Sequence, residues 1–337
     1  MGLIRLSAIG DVIHAMPLAM ALRRRYPDAR ITWVVQEQAA PLLHGHPAID
    51  DVLLFPRHAT REEKREFKER IRACRFDATV DPQGNIKSGH VTRLAGAPMR
   101  CGLALRECKE WPNWFVNNRH GPRPASPHGV DRAFAAGTPL GVGSGPDEWG
   151  LSATAEERAA WVDRCRAAGA DPDGPLCAIS LADPDDARSW FTEQWKELVA
   201  ELRKREVMIV LNGLASVRSV AAELEGPGVF DLTGQDDLRG LLAQYQSMAG
   251  VRGSILITTD SGPSHVATAV GLPVLCLAGS QDPARTGPRS GGASVTAWDG
   301  LKCAPCIERN CELRPPTRDC MRNLSPAAVL RAVETLL

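Results

Sequence analysis

The sequence predicts an α/β protein of two Rossmann-like domains, each a doubly wound parallel sheet. Three observations carry that expectation. Short apolar runs of strand length alternate with longer helical segments along the whole chain, the order that builds parallel sheets covered on both faces. The same unit, an apolar strand running through a polar elbow into a helix, stands near both ends, at residues 3–16 and 254–270. Between the halves, Gly137 to Gly150 is rich in Gly and Pro and reads as a linker.

Taken in order, the first domain (1–150) has strands at Leu3 to Leu6, Ile31 to Val35, Val52 to Leu54 and Ala78 to Val80, with Pro17 to Arg25 as the first crossover helix. Arg57 to Arg75 carries eight Lys or Arg against four Glu, with Phe67, Ile71 and Cys74 as a narrow apolar stripe. Such a run is ordinarily a solvated helix face, and contact with an anionic acceptor or a membrane surface is its other reading. The second domain (151–325) opens with a helix at Thr154 to Ala168. It repeats the scheme with strands Leu176 to Ser180, Val207 to Asn212, Ile255 to Thr258 and Val274 to Leu277. A terminal helix, Pro326 to Leu337 (326–337), completes the chain.

At 337 residues and 44% hydrophobic, the chain can bury two cores. Its 40 Lys and Arg balance 40 Asp and Glu, so no global field recruits nucleic acid or an anionic membrane, and any such attraction must be local. No apolar run approaches the roughly 18 residues a membrane helix needs, and the N-terminus runs straight into a strand. The expected location is the cytoplasm, with peripheral contact at the inner face of the membrane left open.

Two elbows carry chemistry. In Thr259-Asp260-Ser261-Gly262-Pro263-Ser264-His265, the flexible Gly262, the polar Asp260 and Ser261 and the first amides of the helix point into one space. A helix N-terminus stabilises a phosphate there; an ordinary turn capped by Ser261 or Ser264 fits the local pattern equally. At the other end, Leu6-Ser7-Ala8-Ile9-Gly10-Asp11 reads as strand, glycine turn and helix, with Asp11 either a general base or the cap of the helix that follows.

Six motifs follow one another along the chain: Arg5-Leu6-Ser7 with Gly10-Asp11, Asp81 to Ser88, His128 to Arg132, Asp231 to Gly234, Asp260 to Pro263 with His265, and Asp282 to Pro288. In these the chain resembles glycosyltransferase family 9, the heptosyltransferases that use ADP-heptose. The resemblance implies a GT-B fold, two Rossmann-like domains facing a cleft, with the terminal helix packing back on the first. It implies inverting transfer of heptose from ADP-heptose to a glycan, lipid or protein acceptor, and makes Asp11 the base. Where the family places a Lys before Trp-Pro to hold the donor phosphates, this chain has Arg188-Ser189-Trp190-Phe191. Arg188, Asp260, Ser261, Gly262 and His265 are thus the expected donor residues. Lys87, Arg106 and Arg132, with Lys109, form the expected basic acceptor surface. The departures at Arg188, Phe191 and Gly279-Ser280-Gln281-Asp282 keep open a different class of function, a catalytically silent nucleotide-sugar binder or scaffold.

Two metal patterns remain. Asp171-Pro172-Asp173 and Asp183-Pro184-Asp185 have the Asp-x-Asp form that holds a divalent ion in other glycosyltransferases, but each contains Pro and reads as a turn, so no catalytic metal is expected. Cys303-x2-Cys306-x4-Cys311-x8-Cys320 has the spacing of a closed thiolate site, expected to hold a structural zinc or iron ion. A zinc-ribbon nucleic-acid binder built on that loop is disfavoured, because acids nearly match bases there and Trp298 alone offers a stacking ring. Cys177 and Cys276 read as core residues, and His44, His46, His58 and His120 as loop residues without a nameable partner.

Overall fold

A computed structural model, describing residues 1–336, divides the chain into two compact units, Met1–Leu151 and Ser152 onward. The first holds a six-stranded sheet of β1 (Gly2–Ile4), β2 (Thr32–Val35), β3 (Asp51–Leu54), β4 (Ala78–Asp81), β5 (Met99–Gly102) and β6 (Arg119–His120), in the spatial order β3-β2-β1-β4-β5-β6. The second holds β7 (Leu176–Ser180), β8 (Met208–Asn212), β9 (Val229–Asp231), β10 (Ile255–Thr259), β11 (Val274–Leu277) and β12 (Gly292–Val295), in the order β12-β11-β10-β7-β8-β9. Every pairing is parallel. Read from opposite edges, both sheets have the Rossmann order, in which the strand sequence reverses between β1 and β4 and between β7 and β10. Among the described residues, no helix is long and apolar enough to cross a membrane.

The central strands β1, β2, β4, β7, β10 and β11 are buried at every residue, which is why they read in the sequence as continuous apolar runs. The half-buried β5 and the partly exposed β6, β9 and β12 lack such runs, and sequence reasoning missed all four.

Two local expectations are corrected. The first helix spans Ile9–Arg25 rather than starting at Pro17; Gly10 therefore lies in its first turn and makes no glycine turn. Cys74 is exposed, so Phe67 and Ile71 anchor the basic helix Arg61–Ala73 to the core without it. The terminal helix Pro326–Leu336 turns its buried face into the core of the second unit. There Val329 and Val333, one turn apart, enter the core formed with β11, β12 and the helix Thr192–Arg203. Leu337 lies outside the described residues.

Candidate active site

In a doubly wound sheet the loops leaving the carboxyl ends of the strands on either side of the reversal diverge, and ligands bind in the crevice between them. In the first unit those are the loops after β1 and β4. Asp11 sits in the first turn of the helix Ile9–Arg25, where its Oδ1 lies 2.6 Å from Arg5 Nη2 and its Oδ2 accepts a 3.4 Å bond from the Ala8 N–H. Arg5 Nε also donates to the Asp11 carbonyl, at 3.1 Å. Asp11 is thus the third residue of the helix, bonded back to the N-cap Ala8 and paired with Arg5, and 46% of its side chain stays open to solvent while that of Arg5 is nearly covered.

The loop after β4 holds this turn in place. Asp81 is fully buried; its Oδ1 accepts from the Gln83 and Gly84 amides at 3.0 and 3.1 Å, and its Oδ2 from Asn113 Nδ2 at 2.6 Å. Burial still wins over these bonds and holds the Asp81 carboxyl above its ordinary range. Gly84 has φ +71°, and a Cβ there would stand 2.9 Å from Leu103, so the turn requires glycine. The ordered turn aims Gln83 Oε1 at the Leu6 N–H, 2.8 Å, and the Pro82 carbonyl at Arg5 Nη1, 3.1 Å. Two motifs separated by 77 residues thus form one support beneath Asp11.

Two buried histidines that sequence reasoning did not single out as site residues lie in the same unit. His14, one turn along the helix from Asp11, and His128 pack with ring centroids 4.8 Å apart. His128 caps the helix Gly129–Gly137 by accepting from the Val130 N–H through Nδ1, at 3.2 Å. Among the expected acceptor residues, Lys87 and Arg106 are exposed. Arg132 is engaged by Glu107: its Nη1 lies 2.8 Å from Oε2 and its Nη2 donates to the carbonyl at 2.6 Å. Two histidines read as unpartnered are fastened: His46 is buried with Nε2 2.9 Å from the Trp149 carbonyl, and His120 stacks on Trp114.

In the second unit the corresponding loops follow β7 and β10, and they bring Arg188 to Asp260. Arg188 Nη1 donates to the Asp260 carbonyl at 2.7 Å. The other side of the guanidinium meets Asp186, with Nε donating to Oδ1 at 2.8 Å and Nη2 to Oδ2 at 2.6 Å. Three of the five guanidinium N–H donors are committed to protein, which leaves two for a ligand and takes the side-on fork away from a diphosphate. Burial pushes the Asp186 carboxyl up, but the Arg188 bonds and charge outweigh it and hold the group below its ordinary range. Asp260 behaves alike: burial raises it, while His265, 3.5 Å away, the Thr286 hydroxyl and the Arg188 charge together bring it down. Thr286 belongs to the Asp282 to Pro288 motif, so that motif and the Asp260 elbow meet in one carboxylate.

The helix Gly262–Ala269 begins just after Ser261, which makes no side-chain cap; Ser261 Oγ donates to the Thr259 carbonyl and Ser264 Oγ to the Ser261 carbonyl. The capping reading of those serines is thus corrected. Gly262 adopts no left-handed conformation and serves as the first helical residue, so its expected flexibility is unused.

The thiol loop fastens onto this donor side. The Ala187 N–H donates to the Arg309 carbonyl at 2.8 Å, the Ile307 N–H to the Ser280 carbonyl at 2.7 Å, and Arg318 Nη1 to the carbonyls of Pro184 and Asp186 at 2.7 and 3.1 Å. Cys303, Cys306, Cys311 and Cys320 line one cavity of about 300 Å3. Their chemistry suits a soft ion, yet among the described residues no three His, Cys, Asp or Glu are set close enough to hold one. The expected tetrahedral arrangement is therefore not formed, and all four are free thiols. Burial, followed by the neighbouring thiols, pushes Cys320 up to about 11. The two Asp-x-Asp triplets are turns: Asp171 and Asp183 each accept the N–H two residues on, at 3.0 and 3.1 Å.

A family model described as glycosyltransferase family 9 (heptosyltransferase) matches residues 64–316. The chain belongs to glycosyltransferase family 9. Lipopolysaccharide heptosyltransferase 1 of Pseudomonas aeruginosa is 27% identical over 364 residues, spanning 99% of this chain and 97% of the relative. Among solved structures, the family 9 glycosyl transferase of Veillonella parvula matches with a TM-score of 0.82 at 19% identity, covering 99% of this chain and 96% of its own. E. coli heptosyltransferase WaaC with ADP-2-deoxy-2-fluoro heptose matches at 0.76 with 21% identity, over 100% and 99%. The family 9 chain described here has the same α/β architecture, the GT-B class, and is a glycosyltransferase.

Proposed function

We propose that this family 9 enzyme transfers heptose from ADP-heptose, with inversion at the anomeric carbon, to the hydroxyl of a lipopolysaccharide-core acceptor. The acceptor oxygen forms the new bond to the anomeric carbon as the bond to the diphosphate breaks; ADP leaves with that electron pair, and Asp11 takes the hydroxyl proton. The leaving diphosphate is stabilised by the two uncommitted Arg188 donors and by the N-terminus of the helix Gly262–Ala269, with no catalytic metal. Ser261 and His265 flank that terminus, and Lys87 and Arg106 offer charge to an anionic acceptor.

One observation carries the proposal: Arg188 and Asp260, 72 residues apart, meet at the reversal between β7 and β10, where a Rossmann sheet binds nucleotides. Support for the sugar comes from the heptosyltransferase relatives. A screen of nucleotide sugars by thermal shift tests the donor, since a ligand at 100 times its Kd adds about 2.7 kcal/mol. Asp11→Asn should bind the same donor and lose transfer by about a hundredfold or more. Near-normal ADP release by that variant refutes the base, and retention of nucleotide without release by the unaltered enzyme establishes the silent binder instead.

A further inference from the structure

Four of the eight exposed large hydrophobic side chains among the described residues gather on one edge of the first unit: Ile86 (57% exposed), Leu105 (48%), Trp111 (65%) and Phe115 (68%). The short helix Pro112–Val116 explains their placement. Its Asn113 points inward to Asp81, and that anchor turns Trp111 and Phe115, one helical turn apart, outward. The two rings meet edge to face at 5.9 Å, and Phe115 rests in turn on Trp114 at 5.2 Å, so the rings are braced in place. The Ile86 N–H donates to Glu110 Oε2 at 2.6 Å and the Glu110 N–H to the Gly84 carbonyl, which joins the loops after β4 and β5 into one surface.

The same two loops carry Lys87, beside Ile86, Arg106, beside Leu105, and Lys109, two residues before Trp111, all exposed. Of the two acids on these loops, Glu107 is paired with Arg132, so the exposed Lys87, Arg106 and Lys109 face one remaining carboxylate, Glu110, and the face is net basic. A braced Trp and Phe beside aliphatic side chains, with Lys and Arg on the same loops, match the interfacial zone of a bilayer, where aromatic rings sit at headgroup depth and cations meet anionic lipid. The face belongs to the same carboxyl edge of the sheet as the Asp11 turn, whose support is the loop after β4.

We propose that this aromatic and basic face docks the enzyme on an anionic bilayer. Docking presents the Asp11 edge to an acceptor held in the lipid; that second half rests on the function proposed above, whereas the docking itself does not.

Co-sedimentation with vesicles tests it, using phosphatidylcholine alone and phosphatidylcholine with one third phosphatidylglycerol. The enzyme should bind the anionic vesicles, release them at high salt, and show a blue shift of tryptophan emission that Trp111→Phe removes. Trp111→Ala with Phe115→Ala should weaken binding by about tenfold or more with an unchanged melting profile, since both side chains are exposed. Lys109→Glu, a change of two charges, should weaken it about thirtyfold at low salt, at about 1 kcal/mol per charge. With acceptor embedded in vesicles, the aromatic double variant should lose turnover; with a short-chain soluble acceptor it should keep it. Unaltered vesicle binding by the double variant overturns the proposal. So does concentration-dependent self-association, abolished by the double variant, without vesicle binding, which would make the face a contact between copies. Absence of transfer from every sugar nucleotide tried, with vesicle binding intact, would refute the proposed reaction and leave the docking face standing.

Discussion

Asp186 decides how Arg188 is presented, and Asp186→Asn tests that. The carboxylate makes two charge-assisted bonds to the guanidinium, 2.8 and 2.6 Å, with both side chains only 17% exposed, so solvent screens the pair weakly. An asparagine keeps one acceptor for Nε but turns an amide N–H toward Nη2, donor against donor. Losing one such bond and leaving a covered cation half paired costs about 2 kcal/mol of unfolding free energy, within the range for hydrogen bonds to charged groups. The freed Arg188 must then be ordered by the ligand. With a side-chain entropy of about 2 kcal/mol, of which part is lost on binding, ADP should bind roughly 5- to 30-fold more weakly. Calorimetric titration with ADP measures the Kd, and urea unfolding of the same preparation measures the stability loss. Arg188→Ala, run beside it, should abolish measurable ADP binding. Tighter ADP binding by Asp186→Asn would refute the reasoning, for it would mean that Asp186 competes with phosphate for the fork instead of aiming it.

Three further outcomes follow from the same structure. Asp81→Asn should lower stability by about 1–3 kcal/mol, because its new amide N–H would face Asn113 Nδ2 in a fully buried site; unfolding unchanged in urea would show that the loop after β4 does not depend on that carboxylate. Asp186 and Asp260 both lie below their ordinary value of 3.8, so their contribution is complete above it and is lost as the pH falls through their folded values. Arg188→Ala should therefore move the acid-unfolding midpoint upward, and an unmoved midpoint would remove Arg188 as the stabilising charge. In the thiol loop, Cys303 and Cys306 are exposed and should react with a thiol reagent before Cys320, whose thiol is pushed up to about 11. Equal, slow reaction of all four, released by a chelator, would show one metal sphere after all.

The parts of this fold that could be read from sequence are those whose determinants are local. Strands buried on both faces announce themselves as apolar runs, and both elbows were legible as strand-to-helix junctions because a short strand, polar residues and a helix follow closely, but the glycines read as turn residues there, Gly10 and Gly262, are helical. Asp81 could be read as part of a motif but not as the support of Asp11, since its effect passes through Gln83 to Leu6 and through Pro82 to Arg5 across 77 residues. Asp186, written among three aspartates in a turn, gives no sign of being the partner of Arg188 until the loop closes. The His14 and His128 pair was hidden for the same reason, as one residue sits within a helix and the other at the cap of a distant one.

Where sequence and structure part company at the donor loop, the geometry explains how the chain accommodates Arg188 where the resemblance leads one to expect Lys. A lysine ammonium is a point charge that needs no planar partner, whereas a guanidinium must satisfy a fork, and Asp186 supplies the matching carboxylate two residues upstream. The loop that carries both is then fixed from outside by the Arg309 carbonyl and by Arg318, residues of the thiol loop. Arg188, Asp186 and the thiol loop thus form one mechanical unit. Restoring the lysine with Arg188→Lys should therefore leave Asp186 half satisfied and lose stability, and Asp186→Ala placed on top of it should cost less than it does in the parent chain, the non-additivity expected of groups in direct contact. Equal costs of Asp186→Ala in both backgrounds would mean that the two side chains do not act as a pair.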